Sequence, residues 1–146
     1  MTQQPENTVE QVFNEGVQLL EPLLVSHGFS LVHGDAGDGS VGRFSICEFR
    51  RGDRRLEFHF RYSLGLVTYH LGPMSLSHES FMWSVLGRRH CSHYPGFSAE
   101  PLDAFRALLM DLREHGEDFL TGSDADFLYH VEHAEELRLV NSAPPV

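Results

Sequence analysis

Residues 54–62 have the sequence Arg-Arg-Leu-Glu-Phe-His-Phe-Arg-Tyr, in which apolar and polar side chains alternate. Successive side chains of a β-strand point to opposite faces of a sheet, so the alternation predicts a strand that buries Leu56, Phe58 and Phe60. The pair Gly52-Asp53 directly before it is typical of a tight hairpin turn. We therefore expect an antiparallel sheet that is buried on one side and solvated on the other.

The same two-residue period continues on both sides of this hairpin. It predicts further strands at 29–33, 43–51 and 66–71, and Gly72-Pro73 is expected to end the sheet. The glycine-rich segment 34–42 is predicted to be the loop between the first two strands.

Outside the sheet, apolar residues recur at three- and four-residue steps, which is the period of an amphipathic helix. Pro22 lies inside the first such segment and is expected to kink or break it, because proline removes a backbone donor. Thr8 and Ser98 are predicted to cap the first and third helices. The predicted helices are 8–27, 80–86, 98–116 and 124–139.

This order of elements predicts an α+β fold. It has an N-terminal helix, an antiparallel β-meander of about four strands, and C-terminal helices packed on one face of the sheet. The 146 residues suit a single domain covering 1–146, with residues 1–7 and 141–146 expected to fray.

The charge of the chain is unevenly distributed. It has 21 acidic and 11 basic residues, a formal net charge of -10, and every basic residue is an arginine. Residues 43–61 hold six arginines and three acidic residues, whereas residues 100–146 hold eleven acidic residues and three arginines. A chain this acidic is expected to avoid nucleic acid and to attract a basic protein partner.

Residues 1–10 lack the cationic start and apolar run of a signal peptide. No apolar stretch approaches the ~18–20 residues that span a bilayer. The two cysteines cannot form a disulfide framework. We therefore expect a cytosolic protein that makes no membrane contact, and we leave its oligomeric state open.

The solvated side of the predicted sheet is the first candidate site. Arginine and histidine side chains concentrate there, and arginine is enriched where proteins bind one another. The competing interpretation is a solvated face whose arginines pair with acidic helices. The candidate partner-binding residues are Arg54, His59, Arg61, Thr68 and His70.

The second candidate site is the loop that contains His90, Cys91 and His93. These are three possible zinc ligands within four positions, although a structural zinc site normally needs a fourth ligand. The neighbouring histidines could also activate the Cys91 thiol. We expect no cofactor, with zinc at these three residues as the alternative.

Two other patterns favour structural interpretations. Gly37, Gly39 and Gly42 match G-x-G-x-x-G, but a strand rather than the required helix is predicted to follow. His130 and His133 lie one helical turn apart, a spacing that is common by chance on amphipathic helices.

Four segments of the chain resemble small bacterial proteins to which no activity has been assigned. The likeness would cover most of the chain, and its segments are 56–69, 76–79, 94–97 and 119–124. The size, acidity and α+β layout are also similar to immunity proteins that neutralise bacterial toxins. This second likeness is at the level of the fold and implies no site residues.

The leading hypothesis is a non-catalytic protein-binding module, with an immunity-type inhibitor of a toxin as one form of it. The alternative is a metal-dependent or thiol enzyme that uses the sheet face and the 90–94 loop. That alternative involves His59, Arg61, His70, His78, Cys91 and His93.

Overall fold

The sheet predicted around residues 54–62 is present and is antiparallel throughout. In this computed structural model, residues 5–36, 45–61, 63–96 and 100–142 are described. The strands follow one another in the sheet in chain order. They are β1 Ser30–Ala36, β2 Ser45–Arg51, β3 Arg54–Arg61, β4 Ser63–Leu71 and β5 Met74–Ser77.

Helices precede and follow the sheet, as predicted. Together with the meander they confirm the α+β fold. The helices are α1 Pro5–Ser26, α2 His78–Leu86, α3 Pro101–His115, α4 Glu117–Leu120 and α5 Asp124–Ser142. In the described part of the chain, no helix has both the length and the apolar character needed to cross a membrane.

The alternation of β3 defines the two faces of the sheet. Leu56, Phe58 and Phe60 are fully buried, whereas the residues between them remain partly exposed. Cross-strand pairing places Tyr69 of β4 opposite Leu56, so Tyr69 lies on the same buried face. We call this the covered face and the opposite one the open face.

The helices pack on the covered face through aromatic rings. The centroid distances are 5.2 Å for Phe13 of α1 and Phe60, and 5.9 Å for Phe105 of α3 and Phe58. Tyr69 contacts the rings of Phe81 in α2 and Phe119 in α4, at 4.8 and 4.9 Å. Aromatic side chains thus hold the two layers together.

Glycine allows the first and third helices to approach closely. Gly16 is buried in α1, and a Cβ atom at this position would overlap the ring of Phe105. The α1–α3 contact therefore depends on the missing side chain.

The structure contains one strand, β5, that was not predicted from the sequence. Gly72-Pro73 was expected to end the sheet but instead forms the turn into β5, which pairs with β4 from Leu71↔Met74 to Thr68↔Ser77. Gly72 has a φ of +56° and its N–H donates to the carbonyl of Asp53. Gly72 and Pro73 therefore form the turn of a β-hairpin and do not end the sheet.

A kink or a break was expected at Pro22, and the structure shows no break of the first helix there. The helix continues to Ser26, because Leu20 and Leu24 are both fully buried and their packing offsets one missing hydrogen bond. Gly28, with a φ of +88°, follows the end of the helix. The helix begins at Pro5, so Thr8 lies inside it rather than capping it.

Other helix and strand ends also differ from those predicted. β1 extends into the predicted loop as far as Ala36, and α3 begins at Pro101, with Glu100 at its N-cap. The terminal helices reach into the ranges expected to fray. The predictions that concern Gly37, Gly39, Gly42, Arg43, Tyr62 and Ser98 lie outside the described residues.

Candidate functional site

A buried chain of hydrogen bonds joins the sheet to α2 and α3. The hydroxyl of Tyr69 donates to Nδ1 of His78 (2.7 Å), and Nε2–H of His78 donates to Oδ2 of Asp111 (2.8 Å). All three side chains are at most 3% exposed. Burial raises the pKa of the Tyr69 hydroxyl well above its usual value, so the group stays protonated and remains a donor.

The carboxylate of Asp111 also holds the loop that follows α2. Its two oxygens accept the backbone N–H groups of His93 (2.7 Å) and Tyr94 (2.8 Å). Burial alone would raise the pKa of Asp111, but the hydrogen bonds from His78, Tyr94 and His93 outweigh it, and the pKa is lowered. Asp111 is thus a satisfied buried anion that positions the loop.

A second network joins α2 to α4 and α5. Oγ of Ser84 lies 2.6 Å from Nδ1 of His130 and 2.8 Å from Nδ1 of His133. Nε2 of His130 lies 2.6 Å from Oδ2 of Asp118. Because the ionised carboxylate can only accept, Nε2 of His130 carries the hydrogen. Ser84 then donates to His130 and accepts from His133.

Ser84, His130 and Asp118 are the residue types of a hydrolase triad, but Ser84 is not placed as a nucleophile. It lies within α2 and is 6% exposed. Its hydroxyl hydrogen and one of its lone pairs are both bound to histidines. A nucleophilic serine needs access to substrate as well as a base. The network therefore serves to tie the helices together.

These roles were not predicted from the sequence, although one signal was present. Asp111 and His130 lie three residues after Leu108 and Phe127, at the spacing of buried helix positions. A polar side chain at such a position must find a partner inside the protein. The pattern could therefore have indicated buried networks, but not which residues complete them.

Arg54, a predicted partner-binding residue, lies on the covered face and is 5% exposed. Its guanidinium donates to the carbonyls of Phe119 and Gly122, each at 2.7 Å, and pairs with Asp124 at 2.9 Å. These contacts hold the connection between α4 and α5. Arg54 lies two residues before Leu56 in β3, so both side chains point to the covered face.

The other four predicted residues lie on the open face. His59 and Arg61 alternate along β3, and Thr68 and His70 alternate along β4. Thr68 is paired across the strands with Glu57, whose Oε1 lies 2.9 Å from Nε2 of His70. The structure thus brings these four residues onto one surface.

The carboxylates of the open face are paired within that face. Glu48 pairs with Arg50 at 2.5 Å and with Arg55 at 3.3 Å, next to the pair of Glu57 and His70. Because Arg61 adds a third arginine, the face has no excess of negative charge that would attract a basic partner.

The 90–94 loop forms one wall of a cavity of about 490 Å³. His90, Cys91 and His93 all line it, and Met82 and Trp83 of α2 form its apolar side. Cys91 is exposed, and His90 has a φ of +61°, which is uncommon for a residue other than glycine. The volume is in the range of small-molecule sites.

The three loop residues do not form a metal site. Within the ranges that the structure describes, no three histidine, cysteine or acidic side chains converge to hold an ion. Nε2 of His93 instead lies 3.2 Å from Oε1 of Glu114. A zinc ion needs at least three protein ligands around one point.

Exposed and half-exposed carboxylates cover α4 and α5. Residues 117–138 contain seven acidic residues and a single arginine, Arg138. Three of these carboxylates have a partner: Asp118 pairs with His130, Asp124 with Arg54, and Glu135 with Arg138. The other four have no cationic partner among the described side chains. We call all seven acidic residues together the acidic surface: Glu117, Asp118, Asp124, Asp126, Glu132, Glu135 and Glu136.

A groove of about 490 Å³ separates β5 from α5, at one side of the acidic surface. Leu76 of β5 and Ala134 of α5 are buried at its base, whereas Glu132 and Glu136 are exposed beside it. Among the described strands, β5 is the last of the sheet and pairs with β4 alone. The groove therefore places carboxylates next to a sheet edge.

Comparisons of the chain with protein-family models, with curated proteins and with solved structures find no match.

Proposed function

We propose that this protein is a non-catalytic module that binds a basic protein through its acidic surface. The observation that carries the proposal is the concentration of seven acidic residues against one arginine over residues 117–138. Such a surface steers an oppositely charged partner and selects against acidic ones.

The packing of α5 supports this role. Phe127, His130 and Ala134 are buried on its inner side, and His130 is tied to Ser84 and Asp118. The acidic side chains are therefore presented by a helix that is fixed to the rest of the protein. Such preorganisation lowers the entropic cost of association.

The buried networks also favour binding over catalysis. The Asp111 carboxylate is satisfied by three donors, and Ser84 is enclosed between two histidines. An acidic, non-catalytic protein suits an inhibitor that covers the basic substrate-binding surface of a toxin. The immunity-type role in the cytosol belongs to this proposal and rests on charge alone.

Affinity capture from an extract of the source organism tests the proposal. At low salt the wild-type protein should retain a stoichiometric protein with a pI above about 9, the range of nucleic-acid-binding domains. Glu132→Lys/Glu136→Lys should lose it, because two attractions become repulsions. Glu15→Lys/Glu21→Lys changes the net charge equally on α1 and should retain it. Recovery of an acidic partner, of none, or of the same partner by all three proteins would contradict the proposal.

The cavity beside Cys91 favours thiol chemistry as a second candidate function. The thiol is exposed and shares the cavity with His90 and His93, which could accept its proton. Iodoacetamide should then alkylate Cys91 faster in the wild-type protein than in His90→Gln/His93→Gln at the same pH. Equal alkylation rates in the two proteins would remove this candidate.

A further inference from the structure

The groove between β5 and α5 combines three features of a peptide-binding site: an unpaired sheet edge, a helical wall and a row of carboxylates. Each has its own physical consequence for what the groove can hold. The inference rests on the proposed function, because it concerns how the basic partner is recognised.

The sheet edge offers backbone hydrogen bonds. β5 pairs with β4 through four residue pairs, from Leu71↔Met74 to Thr68↔Ser77. In the described part of the chain no strand pairs with its other side. The N–H and C=O groups on that side therefore have no strand partner among the described residues, and an added strand could supply one.

The helical wall gives the groove its depth. Val131 and Ala134 of α5 face Leu76 and Ser80 across it. The inner side is thus mostly apolar, and a strand laid against β5 would bury apolar backbone and side-chain atoms between β5 and α5.

The carboxylates match the spacing of an extended chain. Glu135 is already paired with Arg138 at 2.5 Å, which leaves Glu132 and Glu136 as the attractive charges. Four residues of helix rise ~6 Å. Alternate residues of a strand, which point to the same side, are ~6.8 Å apart. Two basic side chains at alternate positions of a strand would therefore meet Glu132 and Glu136 together.

We propose that this groove binds an extended segment of the partner that carries basic residues at positions i and i+2 and adds to β5 as a sixth strand. Backbone pairing with β5 supplies affinity, and Glu132 and Glu136 supply selectivity for the basic spacing. A second copy of this chain is the competing occupant, and the charge of -10 on each copy opposes it.

The test uses the ¹⁵N-labelled full chain and the peptide acetyl-Thr-Lys-Thr-Lys-Thr-amide. The peptide should shift the amide resonances of 74–77 and 131–136 and slow hydrogen exchange in β5. Acetyl-Thr-Lys-Lys-Thr-Thr-amide, with the same composition but adjacent lysines, should bind at least fivefold more weakly. Glu132→Gln/Glu136→Gln should weaken binding of the first peptide about tenfold, whereas Glu15→Gln/Glu21→Gln should leave it unchanged.

Backbone pairing is tested separately by N-methylation. One peptide carries methyl groups on the backbone nitrogens of both lysines, and the other carries them on the backbone nitrogens of the central and last threonines, so the two have equal charge. Only one of the two sets faces β5, so one methylated peptide should lose binding and the other should keep it. Equal binding by both methylated peptides, or by the two lysine spacings, would overturn strand addition.

The outcomes distinguish this inference from the proposed function. Loss of the captured partner in Glu132→Lys/Glu136→Lys, with no peptide effect on β5, overturns strand addition and leaves the function standing. If all variants capture the same partner equally and the peptide has no effect on β5, both strand addition and the proposed function are overturned. Slow exchange of the β5 amides without peptide, together with a dimer in sedimentation, would show that a second copy occupies the groove.

Discussion

At the scale of single residues, side-chain direction decides which charged groups are structural and which are available. Arg54 and Arg55 are neighbours in sequence, yet Arg54 binds the α4–α5 connection from the covered face and Arg55 pairs with Glu48 on the open face. This difference follows from strand alternation, because Arg54 lies two residues before Leu56 and points to the same face. The acceptors of Arg54 on Phe119 and Gly122 could not be predicted from the sequence.

Asp111 should be one of the most sensitive residues in the chain. We expect Asp111→Asn to lower the free energy of unfolding at pH 7 by about 2–4 kcal/mol, because three donors lose a buried anionic acceptor. Urea unfolding measures this loss. Asp103→Asn, at a half-exposed carboxylate paired with Arg106, should change stability by less than about 1 kcal/mol.

The same substitution should change the acid sensitivity of the protein. The pKa of Asp111 is lower in the folded than in the unfolded chain, so its stabilisation is present above the unfolded pKa of ~3.9 and is lost as pH falls through the folded pKa. The difference in unfolding free energy between wild type and Asp111→Asn should therefore shrink over that acidic range. A difference that does not vary with pH would contradict this assignment.

The two cysteines should differ sharply in reactivity. Burial raises the pKa of the Cys47 thiol to about 12, whereas Cys91 is exposed. The native protein should release one equivalent of chromophore from an aromatic disulfide reagent at pH 8, and Cys91→Ser should release none. Rapid reaction of two thiols in the folded protein would contradict the placement of Cys47.

At the scale of elements, the long periodic segments were predictable, whereas the four-residue elements β5 and α4 were not. The alternation of β3 gave the sheet its faces, and the helical period gave α3 and α5 within a few residues. β5 has only four residues and follows Gly72-Pro73, so it lacked a recognisable period. Pairing with β4, a tertiary effect, stabilises it.

The contact between α1 and α3 should be sensitive to Gly16. Alanine favours a helix over glycine by about 1 kcal/mol, yet we expect Gly16→Ala to destabilise the protein by about 1–3 kcal/mol because its Cβ overlaps Phe105. Thermal or urea unfolding measures the change. Phe105→Leu/Gly16→Ala should show a favourable coupling energy, and strict additivity of the two substitutions would contradict the contact.

At the scale of the whole molecule, the charge of -10 is unevenly distributed. The acidic surface of α4 and α5 has seven acidic residues and one arginine, whereas on the open face Glu48 and Glu57 pair with arginine and histidine. The uneven distribution along the chain was predictable from the sequence. The pairs of Glu48 with Arg55 and of Glu57 with His70 were not, because they form across strands.

The central claim is that a basic partner binds the acidic surface, and its most direct test is an affinity ratio. The dissociation constant of the captured partner is measured at low salt for wild type, Glu132→Lys/Glu136→Lys and Glu15→Lys/Glu21→Lys. The account predicts at least tenfold weaker binding for the first variant, which corresponds to about 1.4 kcal/mol, and a change within about twofold for the second. Equal weakening by the two variants, or unchanged binding by the first, would contradict it.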